Sequence, residues 1–203
     1  MLPSLRRERE LWKQGYIVAG IDEVGRGAWA GPLVAGAVIL PTKNIGTLLG
    51  LKDSKQLLPN VRQQFCTAIT HCALSWAIGV VTGEEVDRLG VTEANRLAIQ
   101  RALKILSVSP TYALIDAIPL LELSFPTESI IRGDERIRSI AAASVIAKVM
   151  RDRMMVELNQ QDRRYRFDLH KGYGTALHQQ RLRQYGPSPH HRKSFAPIRN
   201  MLE

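Results

Sequence analysis

Apolar and polar positions fall along this chain in blocks whose length and spacing predict strands early and helices later. Tyr16 to Ile21 is short, mostly apolar and ends in acidic residues, and after a Gly-rich break Leu33 to Leu40 is a second apolar run. They read as two neighbouring strands. Pro59 opens a segment to about Leu74 with helix-like apolar spacing, and Ser75 to Thr82, rich in Trp, Ile and Val, reads as a third strand. Thr92 is placed to cap an amphipathic helix over Glu93 to Leu106. Tyr112 to Ile115 meets Asp116, and Glu128 to Ile131 meets Arg132, Gly133 and Asp134, so each reads as a buried strand ending at an acid. Glu135 to Leu158 contains neither Gly nor Pro and predicts the longest helix, with small residues in IAAASVIAKV that let it lie close against a sheet. Beyond it, Gln160 to Asp168 is polar, Ala176 to Gln184 predicts a further helix, and GPSPHHRKSFAP reads as an irregular tail. Paired strands followed by strand–helix alternation predict an α/β fold with a mixed sheet, rather than a purely parallel one.

Composition adds a size and a charge. The 203 residues, 45% hydrophobic, suffice for one core, so we expect a single domain over residues 1–203, with about 160 to 203 as a C-terminal extension. Lys and Arg number 28 against 19 Asp and Glu, a formal net charge of +9 that favours a polyanionic partner, nucleic acid first. The same charge would also serve solubility alone. Cys66 and Cys72 stand on different faces of a predicted helix, poorly placed for a disulfide, which fits a reducing compartment. The opening MLPSLRRERELWKQ lacks the apolar core of a signal peptide, and no window approaches the length of a membrane span. A cytoplasmic protein without membrane attachment is expected.

Chemistry enters with the acids. Asp22 and Glu23 follow IVAGI, Asp116 follows YALI, and Asp134 follows SIIRG. A carboxylate at the end of a buried strand is expensive to desolvate unless a cation meets it, and clustered carboxylates repel one another. A divalent ion answers both, and oxygen ligands without Cys or well-spaced His suit Mg²⁺ or Mn²⁺ better than Zn²⁺. Two such ions roughly 3.5–4 Å apart would serve in-line attack on a phosphodiester. Each acid taken alone also fits a helix cap, a salt bridge or a turn. Asp22 and Glu23, being adjacent, would point to opposite faces of a regular strand, so both reach one site only if the strand ends or bends there.

Gly25-Arg26-Gly27 follows directly: two residues without Cβ flank a guanidinium and allow a ligand close to the backbone, or simply make a tight turn. Read as a unit, GIDEVGRG resembles the N-terminal active-site motif of ribonuclease HII. The resemblance continues through AGPLVAGAVIL, LKDSKQL, YALID, RGDERIRSIAAASVIAKVMRDR, HKGYGT and, more weakly, GPSPHHRKSF.

That resemblance implies a ribonuclease H fold: a mixed five-stranded sheet with flanking helices and a C-terminal helical extension. It implies that Asp22, Glu23, Asp116 and Asp134 bind the metal ions, two Mg²⁺ or Mn²⁺ during catalysis. It also implies that the Gly25-Arg26-Gly27 backbone and Tyr173 recognise a ribose 2′-hydroxyl at an RNA–DNA junction. The family cuts the RNA-containing strand of RNA/DNA duplexes, and cuts DNA on the 5′ side of an embedded ribonucleotide, leaving a 3′-hydroxyl and a 5′-phosphate. It takes part in removing misincorporated ribonucleotides.

Lys52, Ser54 and Lys55 of LKDSKQL are candidate phosphate contacts, with solvated surface charge as the competing reading. Ser144 and Lys148, four residues apart on one helix face, could approach the same phosphates, although packing suits Ser144 better. Asp152 is read as a salt-bridge residue, Asp53 and Asp168 carry no assignment, and the adjacent His190 and His191 of the basic tail are expected to meet nucleic acid or solvent rather than metal. A monomer is expected. The chain departs from the family pattern at Ala28-Trp29 and at Ala117-Ile118-Pro119, which puts contacts from the loop after Asp116 in doubt. The related type HIII usually has a lysine in the glycine triplet and a longer N-terminal platform; Arg26 and the short N-terminus argue against it. A binding module that has lost catalysis is opposed by the presence of all four acids.

Overall fold

The computed structural model describes residues 2–43, 46–117 and 123–203. Among them are five strands, β1 (Val18–Val24), β2 (Leu33–Ile39), β3 (Ser75–Val81), β4 (Tyr112–Asp116) and β5 (Thr127–Ile130). The helices are α1 (Arg6–Lys13), α2 (Pro59–Cys72), α3 (Gly83–Ile105), α4 (Gly133–Arg136), α5 (Arg138–Gln161), α6 (Phe167–His170), α7 (Ala176–Tyr185) and α8 (Ala196–Arg199).

The sheet order is β3-β2-β1-β4-β5. β1 to β3 form an antiparallel meander, whereas β4 joins β1 and β5 joins β4 in parallel. The α/β class with a mixed sheet of five strands is as expected. The three mutually parallel strands, β1, β4 and β5, therefore all finish at the same end of the sheet. The opposite faces are covered by α5 and α3, and both helices come close enough that a Cβ at Gly20 would overlap the Ser139 backbone and one at Gly79 the Ala98 backbone.

Among the departures from the sequence expectation, three concern the helices that border the sheet. The helix expected from Glu93 begins at Gly83, where Thr82 and Glu85 form a reciprocal capping box; it kinks at Gly90 (φ 75°), and the spacing from Glu93 marks only its second half. The helix expected over Glu135 to Leu158 is two helices, because Ile137 is extended and buries its side chain with Leu11 and Ile140. The unexpected α1 explains the break: its buried Glu8 accepts the Ser139 N–H at 2.8 Å, so an N-terminal orphan donor of α5 is capped from another helix. Both cysteines are free.

Candidate active site

Strand register assembles the acids. Ile21 pairs with Ile115 across β1 and β4, which sets Asp22 beside Asp116 at the finishing ends of adjacent parallel strands. Asp134 arrives from the next connection: β5 ends, Arg132 turns left-handed (φ 55°), and the first turn of α4 carries the acid inward. The Gly133 N–H donates to Asp116 Oδ1 at 2.6 Å, tying β4 to that turn. One carboxylate oxygen each from Asp22, Asp116 and Asp134 then lies within 4.8 Å of the others.

Glu23 stands apart from this trio. Asp22 faces α5, where the Ser144 hydroxyl favours its charged form, while Glu23 turns toward α3, where Asn95 does the same. Strand alternation accounts for the split. Glu23 is still near enough to Asp116 for their charges to interact, and its Oε2 is buried without a hydrogen-bond partner.

The electrostatics are those of a site short of positive charge. Burial, then the charge of Glu23, lifts Asp22 well above the carboxylate range, against the hydrogen bond from Ser144. Asp116 is raised by burial, and Asp134 is pushed up to about 6 by burial and by Asp116. Such oxygens, with an orphaned carboxylate oxygen beside them, fit a hard divalent cation. Held above its unfolded value, Asp134 contributes stability to the metal-free protein below about pH 4 and loses it as pH rises through about 6, and the raised Asp22 and Asp116 act in the same direction. Protons thus compete with metal, and the rise in melting temperature with saturating Mn²⁺ should be larger at pH 8 than at pH 5 by about 3 °C or more. An equal rise at both values would count against metal binding at these oxygens.

A cavity of about 310 Å³ adjoins the acids, lined by Asp22, Glu23, Val24, Ser54, Lys55, Ser144, Lys148 and Tyr173. Five predicted substrate contacts therefore share one cavity with two predicted metal ligands. Their tasks differ. Ser54 Oγ and Ser144 Oγ are 2.9 Å apart, so this buried pair braces Asp22. Lys148 Nζ donates to Asp152 at 2.7 Å, and Arg62 stands 3.6 Å from the same carboxylate, whereas Lys55 Nζ is exposed and 3.9 Å from Asp134. Lys52 is exposed and outside this lining.

The Gly25-Arg26-Gly27 turn is held by two buried guanidiniums that the sequence reading passed over. Arg151 donates to the carbonyls of Pro32, Lys171 and Ala30, and its guanidinium lies 5.3 Å from the Tyr173 ring centre. Arg192 donates to the carbonyls of Gly31 and Arg26. Within MRDR and HHRKSF these arginines look like surface charge, so no local signal marks them. Asp53 was another omission: it caps the turn at Ser54, accepting the Lys55 N–H at 3.0 Å, and its charge helps to raise Asp134. Trp29 packs on Gly174, giving the first family departure a structural partner. Ile118 and Pro119 of the second departure lie outside the described residues. The expectation for His191 is corrected: it is buried within the C-terminal segment, against Tyr165, Phe167 and His178.

Comparison with known proteins adds three results. A family model described as Ribonuclease HII matches residues 19–198. A protein named Ribonuclease HII from Roseiflexus castenholzii is 49% identical, covering 98% of this chain and 91% of its own length; one of the same name from Chloroflexus aurantiacus is 47% identical, covering 98% and 95%. Among solved structures, the ribonuclease H2 from Pyrococcus horikoshii superposes with a TM-score of 0.76 at 28% identity, covering 91% of this chain and 96% of that one.

Proposed function

Because the chain belongs to the ribonuclease HII family of ribonuclease H endonucleases, we propose that it cuts the RNA-containing strand of RNA/DNA duplexes, including on the 5′ side of a single ribonucleotide embedded in DNA. The products are a 3′-hydroxyl and a 5′-phosphate, and the role is ribonucleotide removal in the cytoplasm. The observation that carries this reading is the convergence of Asp22, Asp116 and Asp134 beside a cavity that also holds Tyr173 and Lys55.

Asp22, Asp116 and Asp134 would hold Mg²⁺ or Mn²⁺, with Glu23 joining from the other strand face as a fourth ligand. Two such ions would ease deprotonation of the attacking water and neutralise charge on the leaving oxygen. Ser144 orients Asp22, and the Gly133 N–H orients Asp116. Lys55, Ser54 and Lys52 offer positive charge and a hydroxyl along the approach to the acids, suited to backbone phosphates. Lys148, bound to Asp152, acts through the cavity wall. The Gly25-Arg26-Gly27 backbone and the Tyr173 ring test for the 2′-hydroxyl, the group that separates RNA from DNA. The enzyme acts as a monomer, and among the described residues no helix is long and apolar enough to cross a membrane.

The test is a labelled DNA duplex carrying one ribonucleotide, incubated with Mg²⁺, Mn²⁺ or chelator beside an all-DNA duplex. A metal-dependent nick on the 5′ side of the ribonucleotide, absent from all-DNA, is expected. Cutting confined to long hybrids would overturn the junction specificity, and no cutting by folded protein with either metal would overturn the assignment of the acids.

A further inference from the structure

Three buried histidines of the C-terminal segment, His170, His178 and His191, take no part in the chemistry above. The rings of His170 and His178 stack at 4.1 Å between centres, and His178 Nε2 lies 3.0 Å from His191 Nε2. Backbone donors fix where each proton sits. The Ser188 N–H donates to His191 Nδ1 at 2.9 Å, so a neutral His191 carries its proton on Nε2. That proton points at His178 Nε2, which must accept, and His178 is left with a proton on Nδ1. Nδ1 is 3.0 Å from the carbonyl oxygen of Tyr173 and donates to it. The donors thus run in one direction, from Ser188 through both rings to Tyr173. His170 braces the same turn: the Gly172 N–H donates to its Nδ1 at 3.1 Å, and its Nε2 donates to the Tyr165 carbonyl at 2.7 Å.

All six ring nitrogens are engaged, which leaves no lone pair for a metal. Burial holds the rings neutral, pushing His178 down to about 3 and His191 to about 4. A proton added to either would set two N–H donors face to face.

We propose that His178 is a positioning residue: His191 fixes its tautomer, so that the proton on His178 Nδ1 holds the Tyr173 carbonyl and aims the Tyr173 ring into the cavity beside Asp22. This rests on the reading of Tyr173 as the sugar-recognising ring. Hydrogen bonds of 2.9–3.0 Å through two buried rings resist sliding better than a loop held only by apolar packing, and sub-ångström placement is what discrimination at a sugar edge requires.

Single-turnover cleavage of a duplex with one embedded ribonucleotide tests the relay in the full chain. His178→Ala should lose about tenfold or more. His178→Asn, whose amide can replace the Nδ1 donor, should stay within about threefold of the parent, while His178→Gln, which reaches only toward His191, should fall with Ala. In a Tyr173→Ala background the His178 changes should cost nothing further, because both act through one ring. Equal losses for Asn and Gln, multiplicative losses in the double variants, or a wild-type rate for His178→Ala would overturn the relay. A wild-type rate for Tyr173→Ala alone would instead overturn the reading of Tyr173. Matching melting temperatures of the Asn and Gln variants separate donor placement from folding.

Discussion

Asp116→Asn is expected to lower cleavage by on the order of 10³-fold, about 4 kcal/mol of transition-state stabilisation, with the fold intact. The structure separates the two effects. The Asn side-chain oxygen can still accept the Gly133 N–H that Asp116 Oδ1 now receives at 2.6 Å, so the tie between β4 and α4 survives. What disappears is a negative charge at the centre of the carboxylate trio. Burial and neighbouring acids already disfavour that charge, so the metal-free variant should melt no lower than the parent and its response to Mn²⁺ should shrink. Cleavage at the parent rate would show that Asp116 is not a ligand. A large fall in metal-free melting temperature would show that its role is structural.

The second large effect distinguishes two glycines of one triplet. Gly25 has φ 88°, and a Cβ there would overlap the Arg151 side chain and sit 2.8 Å from the Pro32 carbonyl oxygen. Gly25→Ala combines a positive-φ cost of about 1–2 kcal/mol with displacement of a buried guanidinium bonded to three carbonyls. We expect a loss of about 3 kcal/mol and a fall of roughly 10 °C in melting temperature. At Gly27 a Cβ would meet nothing within 4 Å. The fold does not need that glycine. Gly27→Ala should therefore stay within about 0.5 kcal/mol of parent stability, yet cut the ribonucleotide duplex about tenfold more slowly if substrate approaches the backbone there. Calorimetry and single-turnover cleavage on both variants check the pair; parental cleavage by Gly27→Ala would remove Gly27 from the substrate surface.

The legible part of this protein was local. Runs such as Leu33 to Leu40 and Ser75 to Thr82 announced strands, since a pleated backbone buries branched side chains with period two. The small residues of IAAASVIAKV announced a helix pressed on a sheet, and α5 lies there against Gly20. The four acids were visible because each ended an apolar run. Hidden were partners supplied from far along the chain: Glu8 capping Ser139, Arg192 holding the Arg26 carbonyl, and His191 bonded to His178. A guanidinium or imidazole has the same sequence neighbours whether it faces water or is buried, and only packing decides which.

The sequence alone therefore determined the class of fold, the family and the carboxylate inventory, because these rest on periodicity and on motifs read in order. Tertiary structure decided which acids share a site. Register between parallel strands brings Asp22 to Asp116, a left-handed turn at Arg132 delivers Asp134, and strand alternation sends Glu23 to the other face beside Asn95. Distances between carboxylates depend on how strands pair and where loops turn, quantities that no spacing along one chain contains.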